Sequence, residues 1–141
     1  MQKVLTSHAF VLGLIILISI FHFFGLYYGW YEHVRHFDKF HHFLGGFWIP
    51  AFVAYLYRAR AKPFGGSDSS FTHVLLAIGL GVTAGVLWEF FEFSLDQMFA
   101  PGGPPAVQGN LADTMGDLAM DFLGAAAYGV LYSRSSRGEE R

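Results

Sequence analysis

The sequence predicts an all-α protein: a polytopic transmembrane four-helix bundle with both termini on the cytoplasmic side. Three observations predict it, namely four long apolar runs, a low charge content and an uneven distribution of cations between the runs. Of 141 residues, 53% are hydrophobic and 14% charged, whereas a soluble domain carries about a quarter charged residues. A β-barrel would need strands of about ten residues with alternating hydrophobicity, and none is present.

The first run, Ala9 to Tyr31, is interrupted only by Ser19 and His22. It exceeds the roughly 20 residues needed to cross a hydrocarbon core. A signal peptide would have a shorter apolar stretch of about 7–15 residues and a small-residue cleavage site. Here the run ends in Tyr27-Tyr28-Gly29-Trp30-Tyr31, the composition of an interfacial aromatic belt. The second run, Phe40 to Tyr57, follows Asp38-Lys39 and contains Pro50, a candidate kink. The third begins at Phe71 and continues past Trp88 as a helix with acidic residues through Asp96. Pro101-Gly102-Gly103-Pro104-Pro105 cannot continue a helix and marks a loop. The fourth run, from Leu111 to Tyr132, is apolar except for Asp113, Asp117 and Asp121. The predicted helices are therefore about 9–31, 40–58, 71–97 and 111–133, within one transmembrane domain over 1–133. Residues 134–141 form a polar cytoplasmic tail.

Four crossings put Lys3, Arg58, Arg60, Lys62, Arg134, Arg137 and Arg141 on one side and only Arg35 and Lys39 on the other. The positive-inside rule makes the richer side cytoplasmic, in a multi-pass protein of the inner (plasma) membrane. The net charge of −2 leaves no cationic excess for phosphate backbones, so nucleic acid is not an expected partner. The absence of cysteine excludes disulfides, thiolate metal sites and thiol catalysis.

This topology delivers acids from three segments to the extracytoplasmic end. Asp38 and His42 are spaced i,i+4, as are Asp113 and Asp117, with Asp121 one turn deeper; Glu89 and Glu92 are spaced i,i+3. Each set shares one helix face. Gly45 and Gly46, Gly85, and Gly124 lie near the same faces, so these faces are expected to meet one another rather than lipid. Simpler roles compete at some positions. Asp38 and Asp113 could be N-caps, and Asp96 an exposed acid near a loop. His22 and His73 could be packed, and His8, His33, His36 and His41 interfacial. Glu89, Glu92, Asp117 and His42 have no such simple role. Carboxylates crowded in this way must share protons or be neutralised by a cation. Lys39 and Arg35 could offset part of the charge. A divalent metal ion (Zn, Mn, Fe or Mg) is the other economical answer, with His42, Glu89, Glu92, Asp113 and Asp117 as ligands and Asp38 and Asp121 completing the polar cluster.

Asp38-Lys39-Phe40-His41-His42-Phe43-Leu44 resembles the Asp-Lys-x-x-His-Phe signature of VanZ-like membrane proteins. Together with Glu89-x-x-Glu92, Gly109-Asn110-x-x-Asp113-Thr114-x-x-Asp117-Leu118 and Gly124, it is more similar still to the YjdF-like inner-membrane family. The likeness covers about residues 31 to 131 and implies a small multi-helix bundle. Asp121 departs from it, standing where a small or amide residue is commoner.

The leading functional expectation is a metal-dependent membrane hydrolase acting on a lipid or lipid-linked envelope substrate, with Glu89 or Glu92 as general base. A proton or cation relay through the bundle is the transport alternative. A structural or pigment-binding subunit with His22 or His73 as an axial ligand is the third.

Overall fold

The computed structural model describes residues 2–58, 70–99, 101–103 and 107–137. All regular structure among them is helical: α1 (Gln2–Leu5), α2 (His8–Tyr27), α3 (Trp30–His33), α4 (Phe37–Arg58), α5 (Ser70–Phe99) and α6 (Leu111–Arg137). The segment after Arg58 that holds Arg60 and Lys62 lies outside the described residues, as do Pro104, Pro105 and the end of the tail after Arg137.

The helix read over 9–31 is in fact two. Ser7 caps α2, its hydroxyl accepting a 3.1 Å bond from the Phe10 amide. The helix stops at Tyr27 because Gly29 adopts φ +65°, a left-handed conformation that glycine tolerates without a Cβ penalty. The aromatic belt then becomes a corner. Tyr28 stacks on Trp30 at 5.8 Å, and Trp30 and Tyr31 both meet the ring of Phe37 edge-on. Phe37 is buried at the start of α4, which begins earlier than its apolar run indicates. The part of the polar tail that is described, residues 134–137, continues α6.

The helices divide the work by composition. α2 and α5 are long and apolar enough to cross a membrane. Their exposed side chains include Ile16, Ile20 and Phe23 on α2 and Leu87, Phe90 and Phe93 on α5. α4, α5 and α6 carry the acids of the site; α6 packs extensively against both α4 and α5, and α2 lies against α4. The Trp48 indole donates to the Val11 carbonyl at 2.9 Å and so ties α4 to α2. The core is built largely from small residues, Ala51, Ala54, Ala77 and Ala125, around the buried ring of Tyr128.

α4 and α6 approach to backbone contact. A methyl group on Gly46 would strike the backbone of Asp121, and one on Gly124 would strike the Phe43 carbonyl. Pro50, fully buried within α4, has no N–H to offer the Gly46 carbonyl four residues earlier. Gly81 of α5 lies against that carbonyl, and a methyl added there would be 3.0 Å from the oxygen. Gly45, one position away, has nothing within 4 Å of an added methyl.

The neighbouring glycines therefore make a test. Gly46→Ala or Gly124→Ala should destabilise the protein by about 1–3 kcal/mol through overpacking, while Gly45→Ala should leave thermal unfolding in detergent unchanged. Equal melting temperatures for all three variants would mean that α4 and α6 are not in backbone contact.

Candidate metal centre

The glycine contacts place His42 of α4 opposite the second and third turns of α6. Its Nδ1 donates to Asp121 Oδ2 at 3.0 Å, and both side chains are 5% exposed. Asp121 fits there because Gly85 of α5 leaves room for its carboxylate; a methyl on Gly85 would occupy the same space. With Nδ1 engaged by Asp121, Nε2 is the ring nitrogen left for another partner, and it offers a lone pair when the imidazole is neutral. Nε2 is buried and has no hydrogen-bond partner. Three carboxylate oxygens surround it: Glu89 Oε1 at 3.8 Å, Asp117 Oδ1 at 3.9 Å and Asp38 Oδ1 at 4.0 Å. Glu89 Oε1 is itself buried without a hydrogen bond.

Lys39 serves the other side of the cluster. Its ammonium contacts Asp113 Oδ1, donates to the Asp113 carbonyl at 3.0 Å and reaches Asp117 Oδ1 at 2.8 Å. Gly116 gives its stem a seat, since a methyl there would be 2.9 Å from Lys39 Cε. Asp117 thus lies between the lysine and the imidazole. Arg35 is exposed and makes no ion pair among the described residues.

Two other acids have separate duties. Glu92 Oε1 accepts from the Trp88 indole at 2.8 Å, one turn away on α5. Asp96 is 7% exposed, so it is not the surface acid that its place near a loop suggests. Its two carboxylate oxygens accept from the Val107 and Gln108 amides at 2.9 Å each and anchor the segment leading to α6. That segment brings the Gln108 side-chain amide to within 3.3 Å of Glu89 Oε2.

The N-cap alternatives for Asp38 and Asp113 are corrected. Asn110 caps α6 by accepting from the Ala112 and Asp113 amides at 2.9 and 3.2 Å. Asp38 lies inside the first turn of α4. Of the five metal ligands read from the sequence, His42, Glu89 and Asp117 come together. Glu92 is held by Trp88, and Asp113 is held by Lys39. Asp38 takes a place in the donor ring. The group Asp38, His42 and Asp117 has donor atoms within 4.8 Å of one another.

The donor set suits a divalent cation. Three hard oxygens and one imidazole are ligands for Mn, Fe, Zn or Mg. An ion about 2.1 Å from each donor keeps neighbouring donors roughly 3.0–3.4 Å apart. Asp38, His42 and Asp117, now within 4.8 Å of one another, would draw together around it, and Glu89, outside that group, would have to move in. The carboxylate behind His42 Nδ1 is the usual second partner of a metal-bound histidine.

Apolar outward faces on helices of membrane-spanning length, with acids and imidazole turned inward, define an integral membrane protein. The chain belongs to the family described as "Predicted membrane protein (DUF2238)", which it matches over residues 2–138. It is also 35% identical over 114 residues to a Thermotoga maritima protein described as "Uncharacterized protein". That match takes in 81% of this chain and 56% of the relative, so the chain spans little more than half the relative's length. No solved structure matches it.

The lysine clamp predicts a coupling. Lys39→Met leaves Asp117, whose side chain is 4% exposed, without its cation, and should cost about 3 kcal/mol. Adding Asp117→Asn to that variant should restore most of the loss, because no uncompensated buried charge remains. Additive losses in a double-mutant cycle of thermal stability would show that the two groups do not interact.

Proposed function

We propose that this protein binds a divalent cation through His42 Nε2, Glu89, Asp117 and Asp38, inside a multi-pass bundle of the inner (plasma) membrane. The observation that carries the reading is the oriented imidazole: Asp121 fixes Nδ1, and Nε2 stands unbonded among three carboxylates. Such a buried and uncompensated arrangement is costly unless a cation completes it.

In this reading α2, α4, α5 and α6 each cross the bilayer, residues 1–133 are one transmembrane domain, and both termini are cytoplasmic. The seven-to-two division of Lys and Arg between the two sides supports the orientation. The site then lies toward the extracytoplasmic end. The likeness of Asp38-Lys39 through Phe43, Glu89-x-x-Glu92 and Asp113-Thr114-x-x-Asp117 to YjdF-like and VanZ-like proteins fits the same assignment.

The activity we assign to the site is hydrolysis of a lipid or lipid-linked envelope substrate. A divalent ion would supply Lewis acidity. Glu89, backed by Gln108, would hold or move a proton beside it, and Glu92 is the second acid within reach of the neighbouring cleft. A cation or proton relay is the second reading, favoured by the continuous contacts Asp113–Lys39–Asp117 and Asp121–His42. The pigment-subunit reading has less support. His22 is engaged with the Tyr31 hydroxyl at 2.7 Å, and His73 packs edge-on against Tyr132.

Manganese should raise the melting temperature of purified protein, and a chelator should reverse the gain. His42→Ala, Glu89→Gln and Asp117→Asn should each abolish the shift, while Asp113→Asn and Glu92→Gln should retain it. A wild type that melts identically with manganese, zinc, magnesium and chelator would end the metal reading and leave the relay. Separately, reporter fusions after Lys62 and at the C-terminus should both report the cytoplasmic side. Opposite sides would exclude the four-crossing topology.

A further inference from the structure

We infer that the cleft beside His42 binds a cationic amphiphile, a single alkyl chain carrying an ammonium head. A cavity of 570 Å³ lies between α2, α4 and α5, bordered by Tyr31 of α3. That is within the roughly 300–1,000 Å³ of small-molecule sites. α2 packs chiefly on α4, so its gap from α5 is not closed by helix contact. Phe23 and Trp88, 63% and 45% exposed, flank the gap and also line the cavity.

The cavity is chemically two-ended. Ile15, Ile18 and Ile49 give an apolar wall, whereas Asp38, His42 and Glu92 are grouped at the other end. Asp38 and Ile49 both line it along one face of α4, a rise of about 16 Å at 1.5 Å per residue. This is close to half the roughly 30 Å hydrocarbon core, the reach of one alkyl tail.

Charge selects the head. Lys39 is committed to Asp113 and Asp117. Glu92 has no ion-pair partner among the described residues, and Asp38 has only His42 Nε2 at 4.0 Å. His42, 6% exposed, presents that unbonded nitrogen to the same end. The polar end therefore groups the carboxyl groups of Glu92 and Asp38 beside the aromatic rings of Tyr31 and Trp88, with Lys39 committed elsewhere. An ammonium gains from both the acids and the ring faces. A phosphate is repelled by the same carboxylates, which disfavours ordinary phospholipids. This site shares Asp38 and His42 with the proposed metal centre, but Glu92 and the apolar wall belong to it alone, and it does not depend on metal binding.

Titration of the full chain in neutral detergent with decyltrimethylammonium, followed by tryptophan fluorescence, tests the inference. Trp48 and Trp88 line the cavity and report occupancy. Saturable binding is expected, with none for decyl sulfate of equal chain length. Glu92→Gln should weaken binding about tenfold, the worth of one lost charge contact. Ala84→Phe, which fills the cavity from α5, should abolish it. Manganese titrations of the same samples separate the two sites: Asp117→Asn should lose the metal response and keep the amphiphile, and Glu92→Gln should do the reverse. Equal binding of decyl sulfate, or an unchanged affinity in both Glu92→Gln and Ala84→Phe, would overturn the inference whatever the metal result. A palmitoyl-oleoyl phosphatidylethanolamine competitor that displaces the probe at equal concentration would overturn it too, by showing a general lipid cleft.

Discussion

The approach of α4 to α6 at Gly46 and Gly124 is the constraint on which the rest depends. With no side chain at either position, the two backbones touch. A wider separation would carry His42 out of reach of Asp121, since these short side chains cannot span it, and would loosen the hold of Lys39 on Asp113 and Asp117. The electrostatics of the site are thus a consequence of steric permission. The same logic repeats at Gly85 and Gly116, where absent side chains make room for the Asp121 carboxylate and the Lys39 stem. Glycine costs helix propensity, about 1 kcal/mol against alanine. Here that cost is offset by polar contacts that only close helices can make.

Lys39 and Asp121 show how the cluster tolerates so many acids. Lys39 spreads one positive charge over two carboxylates from successive turns of α6. Asp121 does not add a free charge, because it is spent on orienting His42. Glu89 Oε1 and His42 Nε2 remain as the buried atoms of the cluster without a hydrogen bond among the described residues. Asp117 belongs to both halves, bonded to the lysine and facing the imidazole. Any change in the occupancy of one half is therefore felt by the other through a single carboxylate.

Much of the site was legible in the sequence because helical spacing fixes which residues share a face. His42 with Asp38, and Asp117 with Asp121, lie one turn apart, and the glycines nearby marked the faces that meet. What spacing cannot show is which atom of each side chain is already spent. Asp113 and Glu92 have the right residue type and depth, yet their partners are Lys39, from another helix, and Trp88, one turn away on the same helix. Lys39 follows Asp38 directly and so projects about 100° away around α4, on a different face from the one that identified the cluster. Its long stem brings its charge to α6 all the same. Asp96 and Gln108 were misread or missed because their roles depend on the path of a loop, which periodicity does not encode. The end of α2 was misplaced for a related reason. An unbroken apolar run says nothing of the left-handed turn at Gly29, and only Tyr28-Gly29 hinted at it.

The uneven polarity of the four long helices has its own physical reading. Hydropathy singles out α2 and α5 because their outward faces need only apolar side chains. α4 and α6 score poorly for the very residues that they bury against each other. In the proposed four-crossing arrangement, low hydropathy in those two helices follows from this interior chemistry. The ordering of burial supports this: Asp117 and Asp121 are 3% exposed, whereas Leu111 and Met115 on the same helix are 77% and 58% exposed. A helix that hides Asp117 and Asp121 and displays Leu111 and Met115 inverts the soluble pattern. That inversion suits a surrounding solvent that is itself apolar. Interior polarity and exterior apolarity are then two results of one requirement, that the charges of α6 meet their partners on α4.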